Sequence, residues 1–368
     1  MGYLFWLYQW FQGAILAIPG RVIALVFVLC LLFAPLIVPQ YVLHILTLTA
    51  IFAIYAASWD VLAGFTGQLN LGHALFFGVA AYAAALLSNH LHLSPWMTIP
   101  LGGFTAVIAG LIAGIPALRL RGFYLALVTL SFPLILTGIL YIFPDFTGGE
   151  FGLYGIRRLS GSRPLDYYII TLTMVGSVFV MWKFTDARSK IVRVGVILHA
   201  IREDEITART SGIDTTKYKL LAFAVSGFFA GIAGGLYAHF FRVAGPSTLE
   251  LFFSFQVILW TIFGGITTIY GPVTGVYILY PLMELLRLNP MVEKIRFILF
   301  ALLLIFTLLF MPEGLSTWVR DRIEVKCPRC KLINLINRRY CRACRAPLHL
   351  EKRKEKDQNG EEWNEITI

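Results

Sequence analysis

The sequence is poor in charged residues. Only 14% of its 368 residues are Asp, Glu, Lys or Arg, whereas 58% are hydrophobic and the mean hydropathy is +0.73. Soluble domains carry about 25% charged residues, so this composition excludes an ordinary soluble protein. The net charge of +10 does not by itself indicate nucleic acid, because membrane proteins gather Lys and Arg in their cytoplasmic loops. We therefore expect an integral membrane protein that binds membrane lipid and no nucleic acid.

Chemical motifs are also scarce. The sequence has no Gly-x-x-x-x-Gly-Lys-[Ser/Thr] phosphate loop, and its apolar stretches hold no paired carboxylates and no nucleophile–base set. We expect no catalytic residues, which disfavours a membrane enzyme. A secondary transporter or channel is an alternative of another class, but the apolar stretches hold too few ionisable residues for a proton relay. No Lys or Arg precedes Arg21, so residues 1–20 lack the charged start of a secretory signal and are predicted to be an interfacial segment.

Ten apolar stretches are long enough to be read as membrane spans, which need about 20 mostly apolar residues. They predict an all-α polytopic membrane protein with about 8–10 transmembrane helices in a domain covering residues 21–315. The third and eighth stretches are the least certain because glycines interrupt them. The predicted spans are 21–39, 41–62, 70–88, 97–117, 123–143, 167–184, 218–241, 252–270, 272–289 and 295–311.

A charged segment, residues 195–214, separates two of these spans. Basic residues on both sides of it, such as Lys183 and Lys217, place it in the cytoplasm, and both chain termini then also lie there. We predict one helix of about five turns, which either lies on the membrane surface or docks onto a soluble partner. The adjacent acids Glu203, Asp204 and Glu205 disfavour an anionic lipid surface.

Two glycine-rich segments interrupt the apolar stretches, and broken helices at membrane depth occur only inside protein or along a cavity. Close packing of helices through small residues is the alternative for the glycines alone. Polar side chains in the first segment favour a cavity, so both segments are predicted to line a translocation pathway. The predicted pathway residues are Gly64, Gly67, Gln68, Asn70, Gly72, His73, Gly264, Gly265 and Gly271. Of the charges inside spans, Glu284 and Arg287 are expected to pair, and Asp60 has no assigned role.

Four ordered blocks carry a family resemblance. Residues 58–87, SWDVLAGFTGQLNLGHALFFGVAAYAAALL, resemble the signature of the LivM-type permeases of branched-chain amino-acid ABC transporters. Residues 147–153, 200–214 and 264–275 are similar to three further blocks of that family, and the resemblance covers about residues 20–315. It implies an importer subunit in the bacterial plasma membrane that carries branched-chain or related hydrophobic amino acids. A permease for urea, short amides or simple sugars is the alternative within the class.

The same resemblance implies partners: a second, LivH-like permease subunit, two cytoplasmic ABC ATPase subunits that hydrolyse ATP, and a periplasmic or lipid-anchored substrate-binding protein. It also implies that residues 195–214 form the coupling helix that contacts an ATPase. Val196 and His199 stand where the family commonly has Arg. Glu205 and Arg209 are spaced to pair, Ala208 is predicted to permit close approach, and Gly212 is predicted to end the helix. The predicted coupling residues are Arg202, Glu203, Asp204, Glu205, Ala208, Arg209 and Gly212.

The C-terminal region contains two CxxC pairs, Cys327–Cys330 and Cys341–Cys344. Four soft thiolates in two tight turns suit tetrahedral zinc, and a cytoplasmic location disfavours disulfides. Residues 323–350 resemble bacterial zinc-ribbon modules, which implies one structural zinc held by Cys327, Cys330, Cys341 and Cys344. An iron centre or a redox thiol pair is the alternative. Residues 351–368 are low in hydrophobic residues and are predicted to be disordered.

Overall fold

The computed structural model describes residues 19–120, 122–187, 193–288, 293–311 and 313–329, and short stretches beyond them (333–335, 341, 344–345, 347–348, 354–356 and 362–364). The predicted interfacial segment lies almost wholly outside the described residues. By its internal contacts the chain divides into two units, residues 31–317 and residues 1–30 with 318–368.

Helices occupy all ten predicted spans. They are α1 (Pro19–Ile37), α2 (Gln40–Thr66), α3 (Ala74–His90), α4 (Pro95–Ala117), α5 (Phe123–Ile142), α7 (Arg163–Thr185), α10 (Thr215–Phe241), α11 (Leu251–Gly264), α12 (Tyr270–Arg287) and α13 (Arg296–Phe310). The shorter elements between them are α6 (Pro144–Thr147), β1 (Leu153–Tyr154), α8 (Val194–Glu203), α9 (Glu205–Thr210), β2 (Val243–Ala244) and a 3₁₀ turn (Pro246–Leu249).

Five of these helices are long and apolar enough to cross a membrane: α2, α4, α5, α7 and α10. The glycine-interrupted stretches give shorter helices, 17 residues in α3 and 14 in α11. At 1.5 Å per residue, α11 is about 21 Å long, less than the thickness of the hydrocarbon core of a bilayer. The all-α polytopic prediction is confirmed, and the two uncertain spans prove to be helices that start or stop at a glycine-rich break.

Helix α2 lies at the centre of the 31–317 unit. The most apolar part of α2 is 83% buried, whereas the corresponding part of α5 is only 28% buried and faces outward. Helices α7, α10, α11 and α12 all pack against α2, and α10 also packs closely on α3 and α4. Small residues permit the close contact between α10 and α4. A Cβ on Gly231 of α10 would come within 2.8 Å of Gly103 Cα on α4. Tight glycine packing is therefore a general property of this helix bundle.

One short sheet joins two loops at the end of the bundle that lies away from the charged segment, residues 195–214. Strand β1 pairs antiparallel with β2, Leu153 opposite Ala244. His239, at the end of α10, lies 2.6 Å from Thr98 Oγ1 through Nε2 and 2.7 Å from the Arg157 carbonyl oxygen through Nδ1. These contacts fix the loop ends against α4 and α10.

The C-terminal region begins with α14 (Leu315–Ile323). Strand β3 (Glu324–Lys326) then pairs antiparallel with β4 (Ile333–Leu335). In the region predicted to be disordered, β5 (Lys354–Lys356) pairs with β6 (Glu362–Asn364). The structure differs from the prediction at those six residues, because backbone pairing needs no hydrophobic side chains. The other residues of 351–368 lie outside the described part.

Candidate functional site

The charged segment forms two helices, so the prediction of a single five-turn helix is wrong. Helix α8 ends at Glu203, Asp204 adopts extended backbone angles (φ −153°, ψ 107°), and α9 starts at Glu205. Asp204 Oδ1 accepts hydrogen bonds from the backbone N–H groups of Ile206 (2.8 Å) and Thr207 (3.2 Å), which makes Asp204 the N-cap of α9. The Thr207 hydroxyl also donates to Asp204, and these hydrogen bonds lower the pKa of the Asp204 carboxyl.

Glu205 faces the chain's own helices. Its Oε2 lies 2.6 Å from Lys219 Nζ on α10, and its Oε1 lies 3.0 Å from Arg209 Nη2, as the i,i+4 spacing predicts. The Thr215 hydroxyl donates to the same Oε1 at 3.3 Å. The Glu205 carboxylate therefore ties α9 to the first turns of α10, and α10 is one of the long membrane helices.

Ala208 also faces inward. It is buried, and the Ile213 N–H donates to its carbonyl oxygen at 3.2 Å. The small side chain at Ala208 permits packing within the chain, so the prediction that it allows a partner to approach is corrected. Gly212 has a left-handed φ of +85°, as predicted for the helix end.

The outer surface of α8 and α9 combines charge with two exposed apolar side chains. Val196 is 50% exposed and Ile206 is 64% exposed. Ile206 was absent from the predicted coupling residues, although an isolated apolar residue in a charged stretch was a usable signal. The predicted residues that are exposed beside these two are Arg202, Glu203, Asp204, Arg209 and Gly212.

Helix α8 packs against the end of α2. The His199 ring meets the Phe65 ring edge-on, with the centroids 5.3 Å apart. Gly67 caps α2 in the left-handed region (φ +70°), and a Cβ there would lie 3.6 Å from Arg202 Cγ. Burial first, and then the positive charge of Arg202, lower the pKa of His199.

The first glycine-rich segment forms a sealed polar cluster between α2 and α3. His73 is fully buried, with Nε2 2.9 Å from Ser58 Oγ and Nδ1 3.4 Å from Asn70 Nδ2. Asn70 Oδ1 accepts from the Gly72 N–H at 2.9 Å, and the Trp59 indole N–H donates to the Asn70 carbonyl at 2.8 Å. These polar side chains satisfy one another inside the protein.

Two further residues of this segment are tightly constrained. Gln68 is 2% exposed and donates through Nε2 to Thr66 Oγ1 at 2.9 Å, whereas Gln68 Oε1 has no hydrogen-bond partner among the described residues. A Cβ on Gly72 would overlap the carbonyl oxygen of Thr129 on α5, so this glycine is required for the close approach of α5.

The second glycine-rich segment is the break between α11 and α12. Gly265 has a φ of +118°, and a Cβ there would lie 2.8 Å from Ser316 Oγ. Gly264 and Gly271 contact each other so closely that a side chain on either would overlap backbone atoms. Thr267, in the turn between them, has a φ of +69°, a strained conformation for a β-branched residue.

Asp60 on α2 joins the two glycine-rich segments. Its Oδ1 accepts a hydrogen bond from the Thr267 N–H at 2.9 Å, and a Cβ on Gly64 would overlap that oxygen. The predicted pathway residues therefore do lie together, around one half of α2. Among them only Gly67 is exposed. The pair predicted between Glu284 and Arg287 is present at 3.9 Å.

Three of the four predicted zinc ligands form a cluster. The Sγ atoms of Cys327, Cys341 and Cys344 all lie within 4.8 Å of one another, and Cys327 and Cys344 are 3.5 Å apart. Cys327 and Cys341 are buried with Leu348 in a small apolar cluster, and Asn334 Nδ2 lies 3.6 Å from Cys341 Sγ. Cys330 lies outside the described residues. Three convergent thiols could hold a metal ion.

Comparison with known proteins assigns a family to the helical part of the chain. The sequence model of a family described as "Branched-chain amino acid transport system / permease component" matches residues 41–308. The permease protein LivM of the high-affinity branched-chain amino acid transport system of Escherichia coli K12 is 30% identical over 320 residues, covering 79% of this chain and 74% of LivM. LivM of Salmonella typhimurium LT2 is 29% identical over 325 residues, covering 81% and 75%. A probable LivH permease of Methanocaldococcus jannaschii is 25% identical over 233 residues, covering 58% and 70%.

Proposed function

The chain belongs to the branched-chain amino-acid transport permease family, and from this premise we propose that it carries branched-chain or related hydrophobic amino acids across the bacterial plasma membrane. It acts as the transmembrane subunit of an ATP-driven ABC importer and is not itself catalytic. The observation that carries the proposal is the α8–α9 pair, a charged and exposed element that an ion-paired glutamate ties to a membrane helix. A permease for urea, short amides or simple sugars remains the second candidate on substrate.

The proposed partners follow from the similarity to both LivM and LivH proteins. The chain pairs with a LivH-like permease, two ATPase subunits bind on the cytoplasmic side, and a periplasmic or lipid-anchored binding protein delivers substrate. Both chain termini are cytoplasmic in this arrangement, because α8 and α9 must face the ATPase.

We propose that Val196 and Ile206 are the apolar anchors of the ATPase contact and that Glu203, Asp204 and Arg209 form its polar rim. Apolar side chains surrounded by charges are typical of a protein interface. Val196 stands where the family commonly has Arg, so burial of apolar surface replaces part of the electrostatic attraction here.

Replacement of Gly212 by Val tests the coupling role. A Cβ at Gly212 meets nothing within 4 Å, so the cost comes only from its φ of +85°, about 1–2 kcal/mol for an L-residue. Gly176→Val is the matched control, because Gly176 on α7 also has open space and an ordinary φ. We expect Gly212→Val to lower amino-acid uptake per ATP in the reconstituted complex and Gly176→Val to leave it unchanged. Equal ratios in both variants would contradict the coupling role.

We further propose that the two glycine-rich segments line the translocation pathway and open during the ATP cycle. The supporting feature is the buried Gln68 Oε1 in the first segment, which has no hydrogen-bond partner among the described residues. Cysteines at Gln68 and Asn70 should change their reactivity with aqueous thiol reagents when ATP is added. If both stay unreactive in every state, the segment is packing only.

We propose that residues 323–350 bind one structural zinc through the four cysteines. Zinc–thiolate bonds of about 2.3 Å place tetrahedral sulfur atoms about 3.8 Å apart, which suits the observed cluster. The purified protein should contain one zinc per chain, and a Cys→Ser change at any of the four positions should release it. Cys30→Ser is the control, because Cys30 is on α1 and is not part of the cysteine cluster. Iron in place of zinc, or a metal-free protein, would overturn this proposal.

A further inference from the structure

A buried acid, Asp60 on α2, contacts the turn between α11 and α12. Asp60 Oδ1 accepts a hydrogen bond from the backbone N–H of Thr267 at 2.9 Å, while Oδ2 has no hydrogen-bond partner among the described residues. Asp60 is fully buried. A buried carboxyl oxygen without a partner costs free energy, so a residue of this kind persists only where another requirement retains it.

The turn needs an external hold. Thr267 is β-branched and sits at φ +69°, a conformation that persists only when its surroundings over-determine it. Asp60 supplies an acceptor for the Thr267 N–H, and Gly64 leaves the space that the carboxylate occupies one helical turn away. The acid, the glycine and the strained turn therefore form one unit.

Helix α2 connects this unit to the coupling helices. Phe65 contacts His199, and Arg202 lies against Gly67 at the end of the same helix. The C-terminal end of α2 therefore packs against α8. Asp60, which contacts the α11–α12 turn, lies one to two turns before that end.

We infer that Asp60 is a positioning residue that fixes the strained 265–269 turn to α2, so that a shift of α8 against α2 moves the α11–α12 break as well. This inference rests on the proposed importer function. What the turn requires is a hydrogen-bond acceptor at this position, and the negative charge is secondary.

The experiment uses the complete reconstituted importer with leucine as the transported probe. Asp60→Leu removes the acceptor and keeps the volume, and uptake per ATP should fall about tenfold, the factor that corresponds to one lost buried hydrogen bond. Asp60→Asn keeps the acceptor and should retain most of the wild-type ratio. Asp166→Leu is the control, because Asp166 is also buried but accepts from Ser160 at the opposite end of the bundle; its ratio should not change.

A second variant tests the link to strain. Thr267→Gly removes the strain at φ +69°. The double variant Asp60→Leu/Thr267→Gly should therefore show more uptake per ATP than Asp60→Leu. If Asp60→Leu alone fails to assemble, the double variant should assemble and transport. An unchanged ratio in Asp60→Leu, loss in Asp60→Asn as large as in Asp60→Leu, or no recovery in the double variant would each overturn the inference. A wild-type complex that shows no ATP-driven leucine uptake would instead count against the proposed function.

Discussion

At the scale of single residues, Glu205 shows that a side chain predicted to contact a partner can also be held by its own chain. The sequence placed it among the contacts to a partner, whereas its carboxylate meets Arg209, Thr215 and Lys219 of its own chain. Charge and helical spacing predicted the Arg209 pair correctly. The contact with Lys219 depends on how α10 folds back on α9, which no local pattern reveals.

Glu205→Lys should therefore act through the position of α9. The change places a third cation beside Arg209 and Lys219, and the cost should be about 1 kcal/mol because Glu205 remains partly exposed. We expect lower uptake per ATP in the reconstituted complex. The double variant Glu205→Lys/Lys219→Glu restores one opposite-charge pair and should recover part of the loss. A double variant no better than the single one would contradict the role of the ion pair.

His199 predicts a pH dependence at the junction of α8 and α2. Its pKa is lowered from 6.5, so the unfolded state binds more protons than the folded state. The stabilisation is present above about pH 6.5 and is lost as the pH falls below that value. The thermal unfolding temperature, measured across this pH range, should fall with the pH. His199→Phe keeps the ring contact with Phe65 and should remove the part of this pH dependence that is due to His199. Identical pH profiles in both proteins would refute this explanation.

At the scale of elements, hydropathy predicted the helices well and their breaks poorly. All ten apolar stretches contain helices, because an α-helix satisfies the backbone hydrogen bonds of its own segment in lipid. The break at Asp204 was missed because the three adjacent acids looked like one charged face. The backbone N–H groups of Ile206 and Thr207 donate to Asp204 Oδ1, and this cap starts a new helix at Glu205. Likewise, glycine content predicted that α3 and α11 are irregular, but only the fold shows that Thr129 and Gly271 lie against their ends.

The junction of α3 and α5 gives a prediction at this scale. In Gly72→Ala the new methyl group would overlap the Thr129 carbonyl oxygen, so α5 must move away and the protein should lose about 1–3 kcal/mol of stability. Gly138→Ala is the control, since Gly138 lies on α5, the helix of Thr129, and a Cβ there meets nothing within 4 Å. Thermal unfolding in detergent should separate the two variants, with uptake reduced only in Gly72→Ala. Equal melting temperatures would show that the contact is not tight.

At the scale of the whole molecule, composition and ordered motifs were sufficient to predict a polytopic permease, and the family match to residues 41–308 confirms it. The contacts that make the fold specific were not predictable, since Asp60 and Thr267 are 207 positions apart. Sequence alone also gave no reason to connect the two glycine-rich segments beyond their shared composition.

The region after residue 308 lies outside that family match, and this predicts the result of a truncation. A chain ending at Arg322 loses the cysteine cluster and keeps the whole matched segment, including the α8–α9 surface and the Asp60 contact with Thr267. If residues 323–350 form a module that folds around its own metal, removing them should leave leucine uptake by the reconstituted complex close to wild type. The full-length Cys327→Ser protein is the matched control, because it keeps the region and should lose the metal. Loss of uptake in the truncated chain, with the ATPase subunits still bound, would instead make the C-terminal module part of the transport cycle.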